Sequence, residues 1–210
     1  MKRTTIIGLF GLFVLAGGVV GASAQSVGGA LYVTYGTTRF AARESFEAVT
    51  EASSKTGIGI GGTVTGLWRG VFVDAGFSQQ KVLGQRVFVD QGTVYSLGIP
   101  VRITLRPVDV AAGWRLQAGR VSPYVGAGLA YLSYKEESDF SVSGDDVDER
   151  KTGPLVLLGV DVRLVRLLKI GGELRYRAIQ GVLGVGGASQ AFGEDQAGGM
   201  AFAARVSVGS

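Results

Sequence analysis

The stretch Pro123–Tyr134, PYVGAGLAYLSY, decides the fold because its side chains alternate between two kinds. One face of an extended strand carries Val125, Ala127, Leu129 and Tyr131, and the other carries Gly126, Gly128 and Ala130. A water-soluble sheet buries its larger apolar residues and exposes polar ones. Here the small face suits the inside of a narrow closed barrel and the large apolar face suits lipid, so the stretch predicts a transmembrane strand.

The first residues predict a separate unit. Lys2 and Arg3 precede the apolar run Ile6–Val20, and the small residues Ala22-Ser23-Ala24 form a cleavage site. We interpret residues 1–24 as a cleaved secretory signal peptide. An N-terminal membrane anchor is the alternative, but the run is shorter than the ~20 apolar residues that span a bilayer. The remaining residues, 25–210, have the size of one domain.

The composition of the chain favours an all-β fold. It contains 35 glycines, and each glycine in a helix costs ~1 kcal/mol relative to alanine. It contains no cysteine, so a disulfide scaffold is excluded. Lys2 and Arg3 supply two of the four excess positive charges, so the basicity belongs partly to the leader.

Alternation with period two predicts an eight-stranded, antiparallel, up-and-down transmembrane β-barrel. The predicted strands are 29–39, 57–67, 71–80, 99–116, 123–134, 154–165, 169–179 and 198–208. Residues 87–95 predict a separate small hairpin that turns at Gln91-Gly92. Pro107 predicts a kink or bulge within one strand over 99–116, with two short strands as the alternative. A helical turn or two is expected in the ARESFEAVTEA segment of the first loop.

The predicted connections alternate in length, and this asymmetry is typical of an outer-membrane barrel. Long loops are expected at 39–55, 81–98, 135–153 and 181–196, with short turns at the other end. Short turns are periplasmic in such barrels, and an even number of strands places both termini there as well. The aromatic residues form two expected interface belts. The belt near the short turns contains Trp68, Trp114 and Tyr124, and the belt near the long loops contains Tyr35, Phe77, Tyr131, Tyr134 and Tyr176.

The predicted inner face collects the charged residues of the strands. It comprises Asp74, Asp109, Arg115, Asp161, Arg163, Glu173, Arg175, Arg177 and Arg205. An arginine facing lipid would cost roughly 2–4 kcal/mol at the midplane, so these residues are expected inside. Four acids and five bases predict an ion-pair network, in which Glu173 would pair with Arg175 or Arg115.

The chain resembles the small outer-membrane β-barrel family of the OmpA, OmpX and OmpW type. The resemblance rests on the leader, on the PYVGAG segment that starts at Pro123, and on the GGELRYR segment that starts at Gly171. It implies residence in the outer membrane of a Gram-negative-type bacterium, in contact with the lipid bilayer and lipopolysaccharide, after insertion by the barrel assembly machinery. Such barrels usually end in an aromatic residue. Here the nearest one is Phe202, which implies a variant insertion signal.

The absence of histidine excludes most of the enzymes that share this resemblance, such as outer-membrane acyltransferases and proteases, which use a histidine. The pattern GIGIGG, which starts at Gly57, matches a dinucleotide-binding motif, but strand alternation continues through it and no helix follows. The acidic segment 144–149 lacks the spacing of a calcium loop and is interpreted as a solvated loop, with bridging to lipopolysaccharide-bound cations as the alternative. No cofactor or metal is expected, and dispersed basic residues make nucleic acid an unexpected partner.

The sequence therefore predicts a non-enzymatic outer-membrane protein, structural or adhesive, that acts through its long outer loops. Charged side chains fill an eight-stranded interior, so no wide pore is expected. A narrow channel or transporter for small or apolar solutes is the first alternative, as the OmpW resemblance allows. A soluble, lipocalin-like periplasmic binder is the second.

Overall fold

In the computed structural model, the described residues are 27–90, 93–138, 147–184 and 187–210. The predicted signal peptide, 1–24, lies outside these residues and stays a prediction. In the described part of the chain, eight strands form one closed antiparallel barrel in which each strand pairs with the next and the last with the first. They are β1 (Gly28–Phe40), β2 (Ser54–Thr65), β3 (Val71–Asp90), β4 (Thr93–Arg115), β5 (Val121–Ser138), β6 (Val147–Arg163), β7 (Leu168–Arg177) and β8 (Gly199–Gly209). The predicted fold class is confirmed.

The two faces of each strand differ as the sequence predicts. In β5, Leu129 is 60% exposed, whereas Ala130 beside it is fully buried. Large apolar residues occupy outward positions around the whole barrel, among them Leu31, Ile60, Val110 and Phe202. A water-soluble protein does not expose so continuous an apolar surface, whereas a barrel in lipid requires one.

At the long-loop end, two hairpins are longer than predicted. β3 and β4 stay paired up to Asp90 and Thr93, so the expected loop 81–98 is wrong and the separate hairpin is their continuation. The turn residues 91–92 lie outside the described residues. β5 and β6 pair from Glu136 and Val147 inward, which shortens the expected loop 135–153 to 139–146, also outside the described residues. In the β3–β4 hairpin, β-branched and aromatic residues keep alternating beyond the barrel rim, which favours a longer strand pair.

Pro107 lies within the continuous strand β4, as predicted. The β3–β4 ladder omits Arg106 and Pro107 and resumes in the same register at Leu105. Proline has no N–H to donate, which accounts for an interrupted ladder. At the other end, β2 and β3 are joined by a tight turn in which Arg69 and Gly70 have positive φ, and the Val71 N–H donates to the Trp68 carbonyl.

Two short helices lie in the long-loop end. The helix α1 (Arg43–Thr50) fulfils the expectation of a helical turn or two in the first loop, whereas α2 (Gly187–Ala191) was predicted as part of a glycine-rich loop. β2 pairs with β3 only over Ile58–Val64, so β3 has no strand on that side beyond Gln79. There α1 lies against β3 so closely that a Cβ at Gly84 would overlap the Val49 carbonyl. No described helix has the length and hydropathy needed to cross a membrane.

Candidate functional site

Arg175 on β7 lies at the centre of the barrel interior and contacts three carboxylates from three strands. Its Nη1 donates to Asp109 at 2.9 Å, its Nη2 to Asp74 at 2.9 Å, and its Nε to Glu173 at 2.5 Å. All four side chains are buried. A buried guanidinium is tolerated only where its donors are used and its charge is balanced, and both conditions are met here.

Arg177 and Arg205 extend this network in opposite directions along the barrel. Arg177 holds both oxygens of Asp109, at 2.9 and 2.6 Å. Arg205 donates to Glu173 at 2.8 Å, and its guanidinium lies 3.7 Å from the ring centroid of Tyr32. The bidentate pair and the cation–π contact fix the orientation of both arginines.

A second, separate ion pair lies towards the short-turn end. Arg115 donates from Nη1 to Asp161 at 2.6 Å, and its guanidinium lies 4.5 Å from the centroid of the Tyr124 ring. The sequence left open whether Glu173 pairs with Arg175 or Arg115. The structure pairs Glu173 with Arg175 and Arg205, and Arg115 pairs instead with Asp161 of β6, two strands away.

Arg163 does not belong to the interior, which corrects the prediction. It is exposed at the end of β6, where the strand leaves the barrel and alternation no longer fixes its side. The buried set then contains four acids and four arginines: Asp74, Asp109, Asp161, Glu173, Arg115, Arg175, Arg177 and Arg205. The formal charge of this described interior is therefore zero.

Two buried tyrosines donate hydrogen bonds to the network, and no role was predicted from the sequence for the first of them, Tyr32. Tyr32 donates to Asp74 and Tyr124 donates to Glu173, each at 2.9 Å. Each ring lies over a glycine of the neighbouring paired strand, and a Cβ at Gly61 or Gly159 would overlap the Tyr32 or Tyr124 side chain. The sequence did contain a signal for Tyr32: it alternates with the outward residues Leu31 and Val33, and its partner strand carries the glycine-rich GIGIGG segment.

The aromatic residues divide between the two faces. Trp68 and Trp114 face outward near the short turns, and Tyr35, Phe77, Tyr131 and Tyr176 face outward nearer the long-loop end. Tyr124 and Tyr134 do not lie in the belts but are buried inside the barrel. Their even numbers give them the parity of Gly126 and Gly128, so strict alternation turns them inward.

Above the ion pairs, an apolar cap closes the long-loop end. Phe40 and Phe46 stack with ring centroids 3.9 Å apart. Around them, buried residues of β3, β4, β5 and the loop between β7 and β8 belong to the same cluster, including Val82, Ile103, Leu105, Leu132, Ile179 and Val182. This apolar layer lies above the charged layer at the long-loop end.

Glu194, in the loop between β7 and β8, forms hydrogen bonds with the first residues of α1 and so holds this helix against the loop. Its carboxylate accepts from the backbone N–H groups of Glu44 and Ser45, at 3.1 and 2.7 Å, and from the Ser45 hydroxyl. Ala42 at the start of α1 has no side chain that could cap the helix. A carboxylate supplied from a distant loop satisfies these N–H groups and favours the positive end of the helix dipole.

A polar space remains between the ion pairs and one side of the wall. Its cavity volume is about 50 Å³, and it is partly open to solvent. Its lining combines Asp109 and Arg177 with small or polar wall residues such as Thr34, Thr38 and Gln80. Within the described residues, no group of His, Cys, Asp and Glu is arranged to hold a metal ion.

A closed barrel with a charged interior and an apolar exterior is the architecture of an outer-membrane β-barrel protein. The chain belongs to this family, because residues 10–208 match the outer membrane protein beta-barrel domain. No curated protein matches the sequence significantly. Both the family and the apolar outer surface argue against the soluble, lipocalin-like binder.

Solved structures share the fold at low sequence identity. A major outer membrane protein from Thermus thermophilus superposes with a TM-score of 0.60 at 10% identity, covering 88% of this chain and 100% of that one. OprG from Pseudomonas aeruginosa gives 0.54 at 13%, covering 89% and 97%. Ail, the attachment invasion locus protein of Yersinia pestis, gives 0.53 at 13%, covering 88% and 99%. These likenesses establish the architecture.

Proposed function

We propose that the protein is a non-enzymatic outer-membrane barrel that stays closed to solutes and acts at the cell surface through its long-loop end, in a structural or adhesive role. In this orientation the short turns and both termini are periplasmic, and the barrel assembly machinery inserts the chain. The observation that carries the proposal is the projecting hairpin formed by the ends of β3 and β4.

The projecting hairpin extends well beyond the barrel rim. β3 loses its partner β2 after Gln79, and β4 loses its partner β5 beyond Val101, which pairs with Gly84. The part of β3 that projects free of both neighbours is therefore residues 85–90, roughly 20 Å at about 3.3 Å per residue. Its tip exposes Phe88, Tyr95 and Leu97, which are 59%, 52% and 53% accessible. Aromatic residues are enriched in the centres of protein interfaces, so a rigid ribbon that displays them suits contact with another molecule.

The interior supports a closed barrel without catalysis. Each of the four buried carboxylates forms an ion pair with an arginine, so each has at least one oxygen already engaged by a guanidinium. A carboxylate that must exchange protons with a substrate needs a free oxygen and access, and the apolar cap restricts that access. The chain also has no histidine to serve as a base.

One observation favours the narrow-channel alternative. The polar space beside Asp109 and Arg177 is open to solvent in part, and it reaches the wall where the β2–β3 ladder ends. A small solute could occupy it if the cap opened. In the closed state described here, Phe40 and Phe46 lie in a continuous apolar cluster above it.

The proposed orientation is testable because the native chain contains no cysteine, so each introduced cysteine is unique. We expect Tyr95→Cys, at the projecting hairpin, to react with a membrane-impermeant maleimide on intact cells. Arg166→Cys, in the short turn between β6 and β7, should react only after the outer membrane is permeabilised. Labelling of Arg166→Cys alone on intact cells would reverse the orientation and remove the proposed surface role.

A further inference from the structure

Five basic residues face outward on four neighbouring strands at the long-loop end. We call them the basic band: Lys81 on β3, Arg102 and Arg106 on β4, Lys135 on β5 and Arg150 on β6. Strand register brings them together, because Arg106 pairs with Ser133 and Ser133 pairs with Arg150. Arg106 and Arg150 therefore lie two strands apart, roughly 10 Å, on one level of the outer surface.

The basic band begins directly above the apolar surface of the barrel. Phe77, Val108 and Tyr131 lie level with one another on β3, β4 and β5 and face outward. Arg106 precedes Val108 by two residues on the same face of β4, which places it roughly 7 Å nearer the long-loop end. The cations therefore lie at the height at which the hydrocarbon of a surrounding membrane gives way to headgroups.

The basic band has more positive than negative charge. Lys135 contacts Glu137 at 2.6 Å and Arg150 contacts Asp148 at 3.6 Å, with all four side chains half exposed. Across the described ranges, no ion pair is found for Lys81, Arg102 or Arg106. Among these described side chains, five cations meet two acids, and exposed cations such as Arg102 and Arg106 attract phosphate.

We propose that the basic band binds the phosphate groups of a phosphorylated glycolipid of the outer leaflet, whose acyl chains lie against Phe77, Val108 and Tyr131. The inference deepens the proposed function, since it rests on the long-loop end facing the cell exterior. A lipid is favoured over a soluble polyanion because the cations face sideways, along the membrane plane, and adjoin an apolar surface. Arginine forks match phosphate oxygens in pairs, which suits Arg106 and Arg150 for the closest contacts.

The experiment compares lipid retention by the full barrel in phosphatidylcholine nanodiscs that contain a small fraction of bis-phosphorylated lipid A, measured by native mass spectrometry. We expect the wild type to retain lipid A and the variant Arg106→Gln/Arg150→Gln to retain it about tenfold less strongly. The control, Arg39→Gln, removes an exposed cation from β1 on another sector and should bind as the wild type does. Heat-modifiable gel mobility verifies that each variant is folded. If the double variant fails to fold, the single variant Arg106→Gln replaces it, and a smaller loss of lipid A retention is expected.

Further arms distinguish the chemistry and the source of the anion. With dephosphorylated lipid A, the wild type should retain no more lipid than the double variant does. Soluble heparin, added at equal charge concentration, should not displace lipid A from the wild type. Equal retention by wild type and double variant, or equal retention of dephosphorylated lipid A, would overturn the proposal. So would heparin binding that depends on Arg106 and Arg150 while lipid A binding does not. Nanodisc binding is independent of orientation in the cell, so a reversed labelling pattern would defeat the surface role without affecting this result.

Discussion

Replacing Arg175 by methionine should destabilise the folded barrel by about 3–5 kcal/mol, because it leaves three buried carboxylates without their shared partner. Asp109 keeps Arg177 and Glu173 keeps Arg205, but Asp74 retains only a 3.5 Å contact with Arg205 and its hydroxyl donors. The interior then carries one uncompensated negative charge. The measurement is urea unfolding in detergent micelles or lipid vesicles, followed by heat-modifiable gel mobility.

Two companion variants separate charge from packing. Arg163→Met removes an exposed arginine that the sequence assigned to the interior, and it should change stability by no more than about 0.5 kcal/mol. Adding Glu173→Gln to Arg175→Met restores the formal balance of the interior and should recover part of the loss. An unfolding midpoint for Arg175→Met equal to that of Arg163→Met would show that the network does not hold the barrel together.

Gly128→Ala should impair folding although it adds a single methyl group. Gly128 faces inward on β5, opposite Ala111 of β4, and a Cβ there would overlap the Val110 carbonyl oxygen and lie 2.6 Å from the Ala111 Cα. These are backbone atoms, so relief requires the two strands to separate. Overpacking of this kind costs about 1–3 kcal/mol, and we expect a lower unfolding midpoint and a lower yield of the compact gel form.

Gly172 provides the matched control. It lies in β7, faces outward, and has no atom within 4 Å of an added Cβ. Gly172→Ala should therefore fold like the wild type. If both substitutions had the same effect, the loss at Gly128 would reflect backbone flexibility and not the close approach of β4 and β5.

The strands and their faces could be predicted from the sequence because a barrel in lipid enforces alternation at nearly every position. Asp74, Asp109 and Arg205 were placed correctly inside for this reason. Where a strand leaves the barrel the constraint ends, and Arg163 was misplaced there. Tyr124 and Tyr134 were assigned to the belts by residue type, although their parity places them inside.

The pairing inside the barrel and the cap could not be predicted from the sequence, because both depend on register between distant strands. Arg175 meets Asp74 and Asp109 only because the strands close into a ring of this size. Glu194 and Ser45 lie in different loops, and nothing local to either residue indicates their contact. The projecting hairpin was interpreted as a loop since strands of usual length were assumed.

Closure of the barrel is the feature on which the proposed function depends. The balanced ion pairs fill the lower interior, and the apolar cap under α1 covers the upper part. A barrel filled in this way provides a rigid base for the projecting hairpin and the basic band. The surfaces proposed to bind other molecules then lie on the outside of the barrel, at the long-loop end and at the boundary with the lipid.

Planar-bilayer recording of the pure, refolded protein tests closure most directly, with an open porin reconstituted in parallel as the control for insertion. We predict no steady current steps under conditions in which the porin conducts, because Arg175 and its partners fill the barrel interior and the apolar cap covers its long-loop end. Reproducible steps of fixed size that are lost when the protein is denatured would contradict the closed barrel and favour the narrow channel.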